Sequence, residues 1–279
     1  MKKIFLLSIT TYLFFCCHLF AQNKKIKVAC IGNSVTYGYR LKNPATESYP
    51  AQLQDMLGER YEVKNFGHSG ATLLRKGHNP YYKTNEFREA IKLDADIAII
   101  ELGLNDTDPR DWNNYSNDFL GDYSWLIDTL RKVNPDMKIY TCLMTPIFHR
   151  HPRFRSGTRD WFWKIQNLIP EIAKVNHTGL IDLHAPFYFH PDLFADALHP
   201  NKEGAIIMAR TVYSSITGDF GGLKVDGVFA NDMVLQRSKP IPVFGTANAN
   251  EEVIVRFSKQ TKITRSSPDG KWKVVFNAL

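Results

Sequence analysis

Apolar runs recur along the chain at IKVACI, YEVKNF, ADIAIIEL, KIYTCLM and TGLIDL. Between them, apolar residues return at three- and four-residue spacing in SYPAQLQDMLGER, NEFREAIKL, NDFLGDYSWLIDTLRKV and RDWFWKIQNLIPEIAKV. The first set reads as strands and the second as amphipathic helices. Val28 to Ile31 and Ala98 to Ile100 are unbroken apolar stretches, as strands covered on both faces require. The alternation predicts an α/β fold, a parallel sheet between helical layers joined by right-handed crossovers. Ligands of such sheets sit beyond the carboxyl ends of the strands, so the residues just after each run are where chemistry is expected.

The pattern changes twice. Past Gly221, GVFANDMVLQRSKPIPVFGTANANEEVIVRF and SSPDGKWKVVFNAL are dense in β-branched residues, prolines and turn signals, which predicts short antiparallel strands over 222–279. TGDFGG, residues 217–222, is the expected linker from the α/β unit over 22–217. At the other end, Lys2 and Lys3, an apolar stretch from Ile4 to Phe20 and then Ala21 read as a secretory signal over 1–21. That signal implies a secreted or periplasmic protein with no stable membrane insertion once it is removed. A membrane anchor is the other reading, but the stretch holds Ser8, Thr10, Thr11 and His18 and lacks a stop-transfer flank. Lipidation at Cys16 is a minor alternative, poorly served by the bulky Phe15 before it.

With 279 residues and 44% hydrophobic content, the chain has enough apolar material for one sizeable core and a smaller second one. Loss of Lys2 and Lys3 with the signal lowers the formal charge from +7 to +5. Scattered lysines on a solvated face account for that excess, and with no recognisable motif or extreme charge a nucleic-acid partner is not expected. Cys30 and Cys142 lie inside apolar strand-like runs and read as two buried thiols rather than a disulfide. Without a CxxC pair or an HExxH helix, neither a metal nor another cofactor is expected.

The residues that follow the strands form a set. Gly32-Asn33-Ser34 follows the first, GHSGAT (67–72) the second and GLND (103–106) the third, while DALHP places Asp196 three residues before His199. Taken singly, each fragment reads as a helix cap or a turn. Together they supply what a serine nucleophile needs: a base, an orienting acid and donors for a developing oxyanion. His199 can be the base for Ser34, with Asp196 holding the imidazole. Gly70 allows close approach of a backbone N–H, Asn105 offers a side-chain amide, and the N–H of Ser34 itself completes three candidate oxyanion donors.

From about residue 26 to 217 the chain resembles the SGNH (GDSL-type) hydrolases, whose four blocks appear in order as GNSVT, GHSGAT, GLND and DALHP. The resemblance implies a flavodoxin-like three-layer α/β/α sandwich, with Ser34 as nucleophile, Gly70 and Asn105 as oxyanion donors, and Asp196 with His199 completing the triad. Asn33 stands where the GDS form has Asp; that aspartate is not the triad acid, so the mechanism is expected to survive the change. A rival nucleophile, Ser69 in GHSGA, comes within one residue of G-x-S-x-G and fails at Ala71. Its other reading is a helix cap after the second strand.

The stretch past Gly221 resembles the opening β-domain of sialate O-acetylesterases, carried by NDMVLQR and PIPVFGTA. It stops where that family continues, which implies a truncated chain or strands completed elsewhere, and unpaired edges make it the expected least stable part. The expected substrate is therefore an acetylated carbohydrate, sialate first. The alternatives are acetylated xylan, or a lipase or thioesterase substrate of the same fold. The loop HRHPRFRSGTRDWFW should border the site. Arg150, Arg153, Arg155 or Arg159 can grip a sugar carboxylate, and Trp161, Trp163 and Trp112 can stack on a sugar face. Solvated arginines and core-anchoring tryptophans are the competing readings.

Overall fold

The computed structural model describes residues 24–155 and 157–278, with the side chains of 154 and 155 excepted. The expected signal segment and Cys16 lie outside the described residues. Strands β1 (Ile26–Gly32), β2 (Tyr61–Gly67), β3 (Ile97–Glu101), β4 (Lys138–Leu143) and β5 (Gly179–Asp182) pair in parallel in the order β2-β1-β3-β4-β5. This is the flavodoxin-like order, with its topological switch point between β1 and β3. All five residues of β3 are buried, as are the last five of β1, which is why both runs are apolar without alternation.

The helices are α1 (Ser34–Tyr37), α2 (Pro44–Glu47), α3 (Tyr49–Leu57), α4 (Asn85–Leu93), α5 (Trp112–Tyr115), α6 (Phe119–Val133), α7 (Thr158–Val175) and α8 (Lys202–Thr217). α3 packs with α8, and α6 with α7. One contiguous core runs from Val28 through Ile100, Phe119 and Ile165 to Val212. Cys30 and Cys142 sit inside it as free thiols, and burial pushes the Cys30 thiol up to about 12. α8, whose GAIIMARTVYSSIT crowds apolar residues without clear helical spacing, is absent from the helices expected from periodicity. Its ends carry the caps that define it: Asn201 Oδ1 accepts the Gly204 N–H at 2.9 Å, and Gly218 closes it with a φ of 74°.

Past the helix, Asn248 Oδ1 accepts the N–H groups of Phe220 and Gly222 at 3.0 and 3.1 Å, tying the 217–222 segment to the β-rich part. There β6 (Lys224–Val225), β7 (Ile241–Thr246) and β10 (Lys271–Phe276) form one antiparallel sheet, and β8 (Glu252–Phe257) pairs with β9 (Gln260–Arg265). The buried clusters are small, Ile241, Val274 and Phe276 in one and Ala247, Val253 and Trp272 in the other. Among the described residues no helix is long and apolar enough to cross a membrane.

Candidate active site

β1 ends at Gly32, where a Cβ would lie 2.0 Å from Thr36 Oγ1 and 2.8 Å from the Glu101 carbonyl oxygen. Only glycine lets the strand turn so closely over β3 into α1. Asn33 then holds the turn: its Oδ1 accepts the Val35 N–H at 2.8 Å, and its Nδ2 donates to the carbonyl and Oε1 of Glu101, each at 3.3 Å. Ser34 is thereby fixed at the carboxyl edge of the sheet, 7% exposed, with its Oγ 2.9 Å from His199 Nε2.

His199 arrives from the far end of the unit on a tight turn, in which Ala197 takes a left-handed φ of 65° and Phe194 bridges Pro200. Asp196 organises that turn. Its Oδ1 accepts the N–H groups of His199 and Leu198 at 2.7 and 3.1 Å, and its Oδ2 lies 2.7 Å from His199 Nδ1. A carboxylate can only accept, so the imidazole proton sits on Nδ1 and the Nε2 lone pair faces Ser34, the tautomer a general base requires. Burial raises the Asp196 carboxyl, but the bonds from the His199 N–H, the His199 ring and the Leu198 N–H outweigh it and hold the group below the usual carboxylate range.

Gly70, in the turn after β2, has a φ of 82°, which favours glycine. Asn105, 4% exposed after β3, donates from Nδ2 to the Ala71 carbonyl at 3.0 Å and accepts at Oδ1 from Arg153 Nη1 at 3.1 Å. Arginine has no acceptor and a carbonyl no donor, so the amide orientation is determined at both ends and the second Nδ2 hydrogen stays available. The neighbouring Asp106 accepts the N–H groups of Leu73 and Leu74 at 2.9 and 2.7 Å, and its burial pushes the carboxyl up to about 7. The loops after β2 and β3 are therefore stapled together beside Asn105 and within four residues of Gly70.

The remaining expectations meet mixed outcomes. Trp112 is 5% exposed and packs edge-on against Phe119 at 5.4 Å, so it anchors α5 in the core and does not stack on a ligand. Ser69 lies exposed in the turn after β2 with no helix beginning there, so the expected cap is also corrected. Arg153 is engaged by Asn105, Arg150 is exposed on the loop, and Arg159 is exposed near the start of α7. Arg155 closes the short helix Pro152–Arg155, and its side chain lies outside the described residues. Trp161 is half-buried against the core, while Trp163 is exposed.

Two residues escape the sequence reading altogether. The Tyr39 ring stands 4.8 Å from the His199 ring, and Arg40 Nε lies 2.9 Å from Asp196 Oδ2. Both follow the candidate nucleophile in VTYGYR, a placement whose meaning depends on a histidine loop remote in sequence. Glu101 was legible in principle, as a charge closing the run IAIIE; it is fully buried under Asn33 and Thr36, and burial pushes its carboxyl up to about 8 against the bonds from those two residues. His78, Asp108 and Asp111 bring ligand-type atoms within 4.8 Å of one another. However, Arg110 occupies both oxygens of Asp108 at 2.9 Å, and the N–H and ring of His78 occupy those of Asp111. That cluster reads as a clasp between the loops after β2 and β3.

Comparison with known proteins places this geometry in context. A model of the GDSL-like Lipase/Acylhydrolase family matches residues 30–206. An acetylxylan esterase of Xylanibacter ruminicola is 35% identical over 212 residues, covering 68% of this chain and 43% of the relative, so the chain spans less than half of that relative's length. Among solved structures, the acetyl xylan esterase AlAXEase is 21% identical with a TM-score of 0.54, over 68% of this chain and 100% of its own. A carbohydrate acetylesterase family member from Sinorhizobium meliloti is 18% identical with a TM-score of 0.54, over 68% and 96% respectively. At these identities the two structures speak to the fold.

Proposed function

Because the chain belongs to the GDSL-like lipase/acylhydrolase family, we propose that it is a serine esterase that removes O-acetyl groups from carbohydrate. The observation that carries this reading is the aligned relay from Ser34 Oγ to His199 Nε2 at 2.9 Å and from His199 Nδ1 to Asp196 Oδ2 at 2.7 Å. His199 takes the Ser34 proton as Oγ attacks the acetyl carbonyl carbon. The N–H groups of Ser34 and Gly70 and the free amide hydrogen of Asn105 stabilise the tetrahedral oxyanion. His199 returns the proton to the sugar oxygen as the C–O bond breaks, leaving an acetyl-serine. Water, deprotonated by the same imidazole, then releases acetate and restores Ser34.

The acetylxylan esterase relative supports a plant polysaccharide such as xylan as the substrate. The resemblance of residues 222–279 to the opening β-domain of sialate O-acetylesterases supports sialate as the second reading. The Nη1 of Arg153 is engaged by Asn105, which weighs against its use on a sialate carboxylate. Export by the N-terminal segment fits either extracellular glycan. The test is acetate release from acetylated xylan, from a 9-O-acetylated sialic acid and from a mid-chain acyl ester, with wild type beside Ser34→Ala. Glycan acetate released by wild type and lost in the mutant supports the reading. Turnover confined to the longer acyl ester replaces it with a lipase or thioesterase, and activity that survives in Ser34→Ala removes the nucleophile.

A further inference from the structure

We infer that the aromatic cavity beside the histidine loop is a subsite for a neighbouring ring of the glycan chain, an assignment that rests on the carbohydrate esterase reading above. The cavity holds about 200 Å³ and is walled by Pro146, Ile147, Phe148, Phe162, Trp163 and Tyr188, with His149, Arg159 and His184 as its polar members. Space of about 150 Å³ accommodates a benzene ring, so one sugar-sized ring fits.

Its position is tied to the reacting centre. The Phe148 N–H donates to the Ala197 carbonyl at 2.9 Å, next to Asp196, and the Phe148 ring meets Phe194 at 5.0 Å. Two residues beyond the cavity-lining His149, burial holds the His151 imidazole below its ordinary value while the Asp196 carboxylate lies near enough to oppose that shift. Two residues span at most about 7 Å of chain, so the cavity and the triad are neighbours along the same loop.

The chemistry of the walls selects a polyhydroxylated ring over an acyl chain. Trp163, Tyr188 and Phe189 are 42%, 59% and 83% exposed and adjoin one another through His184, with Trp163 to His184 at 5.3 Å, His184 to Tyr188 at 6.2 Å and Tyr188 to Phe189 at 4.8 Å. Such a cluster of exposed aromatic surface marks a recognition site. Within it, His184 Nδ1 faces the Met144 carbonyl at 3.3 Å, so the ring proton sits there and the buried Nε2 is an acceptor with no partner among the described residues. His184 is itself part of the cavity wall, so a sugar hydroxyl is the class of group that can donate to that lone pair, and an acyl chain offers it nothing. The C–H faces of a sugar meet the aromatic rings, and its edges meet His149 and Arg159.

The experiment compares Trp163→Ala and Tyr188→Ala with wild type on 4-nitrophenyl acetate and on whichever acetylated glycan the wild type cleaves fastest, with Trp163→Phe as a conservative control and circular dichroism to confirm folding. The subsite predicts that KM on the glycan rises by about tenfold in the alanine variants, while turnover of 4-nitrophenyl acetate stays within about twofold of wild type and Trp163→Phe largely restores glycan KM. Glycan KM unchanged in both variants overturns the subsite and leaves the esterase reading intact. So does an equal loss on both substrates. A wild type that releases acetate from no glycan removes both.

Discussion

Arg40 and His199 share one oxygen of Asp196: the guanidinium Nε lies 2.9 Å and the imidazole Nδ1 2.7 Å from Oδ2. Arg40 holds this contact from a left-handed backbone position with a φ of 71°, while Tyr39 covers the imidazole from the same turn. The carboxylate is therefore gripped from the outside of the site as well as from its own turn. Arg40 is 57% exposed, so the pair is weakened by solvent and its loss is expected to be mild. Arg40→Ala should lower kcat by no more than about tenfold with KM nearly unchanged, and Arg40→Lys, which keeps the charge without the planar fork, should recover only part. Steady-state kinetics decide it; a variant indistinguishable from wild type removes Arg40 as a positioning residue.

Asn105 and Arg153 separate a donor from the group that aims it. Asn105→Ala should reduce kcat by on the order of a hundredfold or more, as loss of an oxyanion donor does elsewhere. Among the described residues the Arg153 guanidinium donates to the amide oxygen, at 3.1 Å, and Arg153→Met should cost about tenfold in kcat with KM held, since Asn105 keeps its bond to Ala71. If Arg153→Met raises KM and spares kcat, the arginine binds substrate instead.

Glu101 gives the protein a pH-dependent stability. Its carboxyl sits at about 8 in the folded chain and at its ordinary value near 4.5 when unfolded. Below about 4.5 both states are protonated and nothing is lost. As pH rises from there to about 8, the unfolded chain releases its proton while the folded chain keeps it, so stability falls across that window. Glu101→Gln removes this dependence and should match or exceed wild type at pH 9, by on the order of a few kcal/mol at most. Denaturant melts at pH 5, 7 and 9 test it; a wild type and variant with parallel pH curves would falsify the assignment.

Asn33 follows from the same buried carboxyl. Its amide donates to Glu101 Oε1, and Asn33→Asp would set a second acid in its place within a fully buried pocket. The variant should melt below wild type at neutral and alkaline pH, with the gap narrowing toward pH 5 as protons become available to the pair. Equal melting temperatures from pH 5 to pH 9 count against a direct Asn33 to Glu101 pairing.

The sheet was legible because β1 and β3 are buried on both faces and leave an apolar signature that periodicity detects. Ser34, Asn105, Asp196 and His199 stood out as candidates because each closely follows a strand or sits in a short local motif. Trp112 was misread because proximity in sequence to GLND says nothing about which way a side chain points, and it points into the core. Arg40, and the use of Arg153 on Asn105, were hidden for a different reason. Each depends on a long side chain crossing to a loop distant in the chain, and only the folded arrangement brings those loops together.

The strand order has one more consequence. The candidate nucleophile and candidate oxyanion donors emerge from the ends of β1, β2 and β3, all within the first 105 residues, whereas the candidate base and its acid arrive only at residues 196 and 199, just before α8 packs against α3. During synthesis a nascent chain thus presents an unactivated serine alcohol until the last segment of the α/β unit is threaded into place. Under the proposed mechanism hydrolysis becomes possible only on closure, which would make turnover itself a reporter that the whole unit has folded.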